Sequence, residues 1–134
     1  MKNTSIRVLC IVLLSFITSL SYAGGRYANP PLNILEVTDA CTKGLDAAQK
    51  KDTTAALEQA KIGRKFALES YKELSTMPME IGSSDMKKAI AALEAGKLDE
   101  ATPLFEHCKK KLDEEIAYYQ GEGKISKDGK TVTK

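Results

Sequence analysis

The chain contains no tryptophan, one histidine (His107), three cysteines and four prolines among its 134 residues. Without tryptophan, and with aromatics at 6%, any core must be built from small aliphatic side chains. A lone histidine excludes paired-imidazole metal motifs. No serine, acid or metal motif stands at a recognisable spacing from it, so a catalytic centre has no support and the chain does not read as an enzyme. No Cys-x-x-Cys-His occurs, which removes covalent c-type haem. A non-covalent haem would need a methionine on the first helix to face the histidine of the fourth; that helix has none, which argues against haem.

What is present begins with a leader. "MKNTSIR" is basic and free of acids, "VLCIVLLSFITSL" is apolar, and "SYA" ends in small residues, so residues 1–23 read as a signal peptide cleaved after Ala23. The expected location is periplasmic or secreted. Later segments never approach the length of a membrane span, so no stable membrane anchor is expected. Cys10 leaves with the leader and is misplaced for a lipoprotein signal. Loss of Lys2 and Arg7 takes the basic residues from 20 to 18, equal to the 18 acids. A chain of zero net charge argues against nucleic acid as a partner.

Residues 24–31 ("GGRYANPP") have a linker's composition, and residues 32–120 read as four helices. Ile34, Thr38, Cys41, Leu45 and Ala48 form the stripe of a first helix ending near Lys51, followed by the capping residues Asp52, Thr53 and Thr54. Ala56, Ala60, Gly63, Ala67, Tyr71 and Leu74 form a second, widened by Leu57 and Phe66. Pro78 and Gly82 interrupt the pattern in "STMPMEIGSSD" (75–85), with Ser83 or Ser84 expected to cap a short third helix through Met86, Ile90 and Leu93. Gly96 ends it. Leu98, Ala101, Phe105, Cys108, Leu112, Ile116 and Tyr119 mark the fourth helix, with Pro103 in its first turns. The lysine-rich residues 121–134 read as a mobile polar tail, with a small hairpin as the alternative.

Two short links and one longer middle connection predict an all-α, up-down-up-down four-helix bundle of two helical hairpins. Residues 44–61 and 89–106 align without a gap, pairing Leu45 with Ile90, Ala47 with Ala92 and Ala56 with Ala101. A tetratricopeptide-like reading competes, but two hairpins are too few for a solenoid. Cys41 and Cys108 each lie roughly 15 Å from the same end of the bundle, on the buried stripes of neighbouring helices. The leading expectation is a Cys41–Cys108 disulfide in an oxidising compartment. Were both thiols reduced, the same placement would offer two thiolates to Cu(I) or Zn(II).

Met77, Met79 and Met86 cluster in "MPMEIGSSDM", and thioethers are soft ligands able to hold Cu(I). The competing reading is packing at the open end of the bundle. His107 falls about 100° off the buried stripe and reads as a surface residue; with Cys41 and Cys108 it is a lesser metal candidate. Tyr118 and Tyr119 read as partly core, or as a contact surface.

"LEQAK" (57–61), the breaks near 51–53 and 96–98, "AI" (89–90) and "AT" (101–102) resemble the small metal-binding protein (SmbP-type) family. The resemblance implies a secreted, monomeric four-helix bundle. That family holds divalent metals through repeated histidines; at the corresponding places this chain has Ala40, Ala47, Asp52, Gln59, Phe66, Ala92, Lys97 and Leu104, so no ligand is carried over. The expected function is a small non-catalytic binding protein for a soft metal such as copper. The alternative is a metal-free module that binds another envelope protein.

Overall fold

The computed structural model describes residues 26–132; the expected leader, its cleavage point and Cys10 lie outside them. The helices are α1 (Ile34–Gln49), α2 (Thr53–Glu73), α3 (Met77–Glu94) and α4 (Leu98–Gly121). Each packs against its two neighbours, α1 closes the ring on α4, and α1 meets α3 only marginally across the centre. This is the all-α four-helix bundle expected.

The ends of the helices follow from local chemistry. Asn33 enters α1 from the left-handed region (φ 60°), where asparagine is better tolerated than most residues. Its side-chain amide donates to the Phe66 carbonyl on α2 at 3.3 Å. Asp52 caps α2 by accepting from the Ala55 N–H at 3.0 Å, which satisfies one of the helix's orphan donors. Gly96, at φ 72°, turns the chain from α3 into α4 at little steric cost.

The third helix differs from expectation. It is not a short helix capped by Ser83 or Ser84: it begins at Met77 and contains Pro78 and Gly82. Pro78 sits in the first turn, where the missing N–H has no intrahelical partner to lose. Gly82 gives way to α1, since a Cβ there would lie 3.0 Å from Cγ1 of Val37.

Small residues let the helices approach and large ones fill the gaps. Gly44 on α1 faces Phe105 of α4, and an added Cβ would run into the ring. Gly63 on α2 receives Met86 of α3, whose Cγ lies 3.3 Å from the position of such a Cβ. Thus three helices each offer a glycine to a side chain of another helix, two across neighbouring seams and Gly82 across the centre. Two stripe assignments change: Ser70 is buried on α2 while Tyr71 and Leu74 are exposed, and Val37 joins the α1 stripe.

Both flanks are built into the bundle. The expected linker lies against α4, with Arg26 4.3 Å from the centroid of the Tyr118 ring and its Nε donating to Glu115 at 3.1 Å. Tyr119 donates through its hydroxyl to the Tyr27 carbonyl at 3.0 Å. The residues expected as a polar tail turn back on themselves: Ile125 and Thr131 form an antiparallel bridge. Ile125 is 1% exposed, in the core, so the hairpin alternative describes this segment better than a free tail.

Candidate functional site

The two cysteines meet as their placement on α1 and α4 predicts. Cys41 and Cys108 are bonded, with Cα atoms 6.1 Å apart and a separation of 67 positions along the chain. Both are fully buried. In this state neither sulfur carries a thiolate for a metal.

The methionines do not form one cluster. Met79 and Met86 are fully buried, whereas Met77 is 67% exposed. Helical geometry gives the reason: Met79 and Met86 are seven residues apart and fall roughly 20° from each other, while Met77 lies roughly 200° round from Met79. Met77 and Met79, read as part of the connection before the third helix, belong to α3 with Met86, and Met77 faces away from the other two. Met86 has a different sulfur neighbour: its Sδ lies 3.9 Å from Sγ of Cys41.

His107 is half exposed, in keeping with the surface position expected, and it has a partner on α3. Its Nδ1 lies 2.6 Å from Oδ2 of Asp85. A carboxylate accepts, so Nδ1 is the donor. The Asp85 side chain is 8% exposed, and this bond ties α3 to α4 one residue away from Met86 and Cys108. Sequence reasoning missed Asp85 because "GSSD" reads as a helix cap. Its signal is the spacing Gly82, Asp85, Ala89, visible once α3 starts at Met77. Among the described residues no three His, Cys, Asp or Glu side chains converge on one point.

A second feature lies at the end of the bundle where α1 begins, α2 turns into α3, and α4 ends. Tyr27, Leu32, Leu68, Tyr71, Leu74, Met77 and Val132 are the large apolar residues exposed among those described, and all belong to this end. Tyr27 donates through its hydroxyl to the Ser75 carbonyl at 2.9 Å, which places it beside Leu74 and Met77. A groove of about 570 Å³ runs between residues 29–36 and the C-terminal turn, with Pro30, Leu32 and Val132 in its wall. At the opposite end, Lys50, Lys51, Asp52 and Lys97 are exposed in the links.

The groups holding the flanks are electrostatically perturbed. Burial pushes the Tyr119 phenol above its ordinary pKa of 10.0, with Glu115 adding to the effect. The hydrogen bond and charge of Glu115 raise the Arg26 guanidinium likewise. Among the described residues no helix is long and apolar enough to cross a membrane. No family model, no curated protein and no solved structure matches the chain.

Proposed function

We propose that the protein is a small, non-catalytic binding module of the periplasm or the secreted space, and that its partner is another envelope protein held at the apolar end of the bundle. One observation carries this reading: the exposed large apolar residues among those described gather at one end, opposite charged links. Scattered surface hydrophobics are ordinary, and it is their concentration at one end, with Lys72, Glu73 and Ser75 exposed among them, that supports an interaction surface there. The groove beside Leu32 and Val132, about 570 Å³, lies in the size range of binding clefts, and Glu36, Glu122 and Lys124 in its lining add charged groups to the apolar ones. The leader composition and the paired cysteines support an oxidising compartment.

The test is a photo-crosslinking amino acid placed at Met77, with Lys51 at the far end as the control, in cells expressing the full chain. One discrete adduct with an envelope protein from position 77, absent from 51, is expected. Equal labelling from both ends, or none from 77, refutes the reading, and an adduct of twice the chain's own mass would replace it with self-association. Mass spectrometry of the same exported protein should show a chain beginning at Gly24; an intact leader would remove the assigned compartment.

The second reading, a soft-metal site, is favoured by the contact between Met86 and Cys41. The resemblance to small metal-binding proteins is consistent with it in architecture alone, since the histidines of that family have no counterpart here.

A further inference from the structure

We propose that the reduced protein binds one Cu(I) ion in the bundle core, held by the thiolates of Cys41 and Cys108 and the thioether of Met86. The site does not depend on the partner proposed above. Its three sulfurs come from α1, α4 and α3, and all three side chains are fully buried.

Geometry supports a single three-coordinate site. A metal–sulfur bond of about 2.3 Å, as for zinc thiolates, gives a trigonal site with sulfur–sulfur edges of about 4 Å. The edge between Cys41 Sγ and Met86 Sδ is already 3.9 Å. The Cys41–Cys108 edge opens when the disulfide is cleaved, because two unbonded sulfurs cannot remain at bonding distance, and the three rotatable bonds of the Met86 side chain let its sulfur adjust the remaining edge to Cys108.

The surroundings hold Met86 in place. Gly63 on α2 provides the space it occupies, and a Cβ at that position would lie 3.5 Å from its Sδ. The bond from His107 to Asp85 joins α3 to α4 one residue from Met86 and Cys108, fixing the two helices at the level of the sulfurs. Soft thiolate and thioether donors select Cu(I) over harder divalent ions. A structural Zn(II) site takes four ligands, and among the described residues no histidine or carboxylate joins these three sulfurs to supply a fourth.

The ion and the disulfide exclude one another because both use Sγ of Cys41 and of Cys108. A dithiol reductant transfers two electrons and two protons to the disulfide, becoming a disulfide itself and leaving two protein thiols. Cu(I) then forms three bonds to sulfur and displaces both thiol protons to solvent. A newly exported chain is already in the dithiol state, so the ion competes with oxidation for the same two sulfurs. The bundle is thereby a Cu(I) site gated by thiol oxidation.

The experiment is an anaerobic titration of the full mature chain with Cu(I) against a colorimetric Cu(I) chelator, in the reduced and the oxidised forms. The reduced form should take one ion per chain and the oxidised form none. Met86→Leu should weaken binding by about tenfold or more, while Met79→Leu, an equal change in packing away from the sulfurs, should leave it unaltered. X-ray absorption at the copper edge should find three sulfur neighbours in the wild type and two in Met86→Leu. Failure of the reduced form to compete for Cu(I) overturns the proposal. So does equal affinity and coordination in Met86→Leu, which would leave a two-thiolate site. Circular dichroism of each reduced form, with and without the ion, identifies unfolding: a variant that is helical and does not bind counts in the comparison, and loss of helix in reduced wild type that Cu(I) does not restore refutes the site.

Discussion

Gly44 shows two effects of one methyl group opposing each other at a single residue. In a helix interior, glycine to alanine ordinarily gains about 1 kcal/mol from backbone entropy. Here the new Cβ would run into the Phe105 ring, and overpacking of a dense core costs about 1–3 kcal/mol. The clash dominates because the ring is fully buried and has no free volume to enter. Gly44→Ala should therefore lower stability in urea denaturation, and combining it with Phe105→Leu should recover part of the loss; a stabilised single variant would show that α1 and α4 can separate at this level. Tyr119 contributes to alkaline behaviour. Its folded pKa is raised above the 10.0 of a free phenol by burial, so above that pH the unfolded state loses the proton first. Stability is then fully present below 10.0 and falls as pH rises through the interval up to the higher folded value. Tyr119→Phe should remove this part of the pH dependence, at a cost of about 1 kcal/mol for the hydrogen bond to the Tyr27 carbonyl. Unfolding free energies measured on both proteins across the interval check it; parallel curves would reject the assignment.

At the scale of the helices, α3 is held to α4 by a polar contact set into an apolar seam. Asp85 is the buried member of this contact; removing the partner of a buried polar group leaves it unpaired, which costs about 1–3 kcal/mol, whereas replacing both can be nearly neutral. His107→Ala should thus destabilise the bundle more than the double variant Asp85→Leu with His107→Ala, and a double-mutant cycle by chemical denaturation measures the difference. If the single and double variants lose equal stability, the Asp85–His107 bond contributes nothing to the seam. This contact also shows what was legible in the chain. The helices α1, α2 and α4 were visible in the spacing of Ile34, Cys41 and Ala48, of Ala56, Ala60 and Ala67, and of Phe105, Cys108 and Leu112, because each buries one stripe. The start of α3 was hidden because Pro78 and Gly82 are helix breakers by local propensity, while their roles here are set by position in the first turn and by Val37 of another helix. The same error placed Met77 and Met79 in the connection before α3 and left Asp85 unnoticed. The sulfur contact of Met86 depends on the packing of α1 against α3 and has no one-dimensional signal. The cysteine pair was legible because helical rise converts sequence position into height along the bundle.

For the whole molecule, the disulfide is the element that compensates for a core rich in alanine and glycine. It joins the first helix to the last across 67 residues of chain, and closing a loop of that length in the unfolded state is worth about 4 kcal/mol in chain-entropy models. Domains commonly have about 5–15 kcal/mol in total, so the bond accounts for a large share of what holds the bundle closed. Replacing Cys41 and Cys108 together by alanine should move the urea midpoint sharply down. It should also steepen the transition, because an unfolded chain without the crosslink exposes more surface. The loss should be uneven in space. The helix pairs α1–α2 and α3–α4 are each joined by a tight turn, and α2–α3 by a short link, whereas the seam between α1 and α4 has no chain connection. Without the bond that seam is the weakest boundary, so native-state hydrogen exchange should accelerate in α1 and α4 more than in the facing halves of α2 and α3. Uniform acceleration would mean that the bundle opens only as a unit. Preferential opening of the seam would also provide the route by which a copper ion, in the reduced chain, reaches sulfurs that are otherwise fully buried.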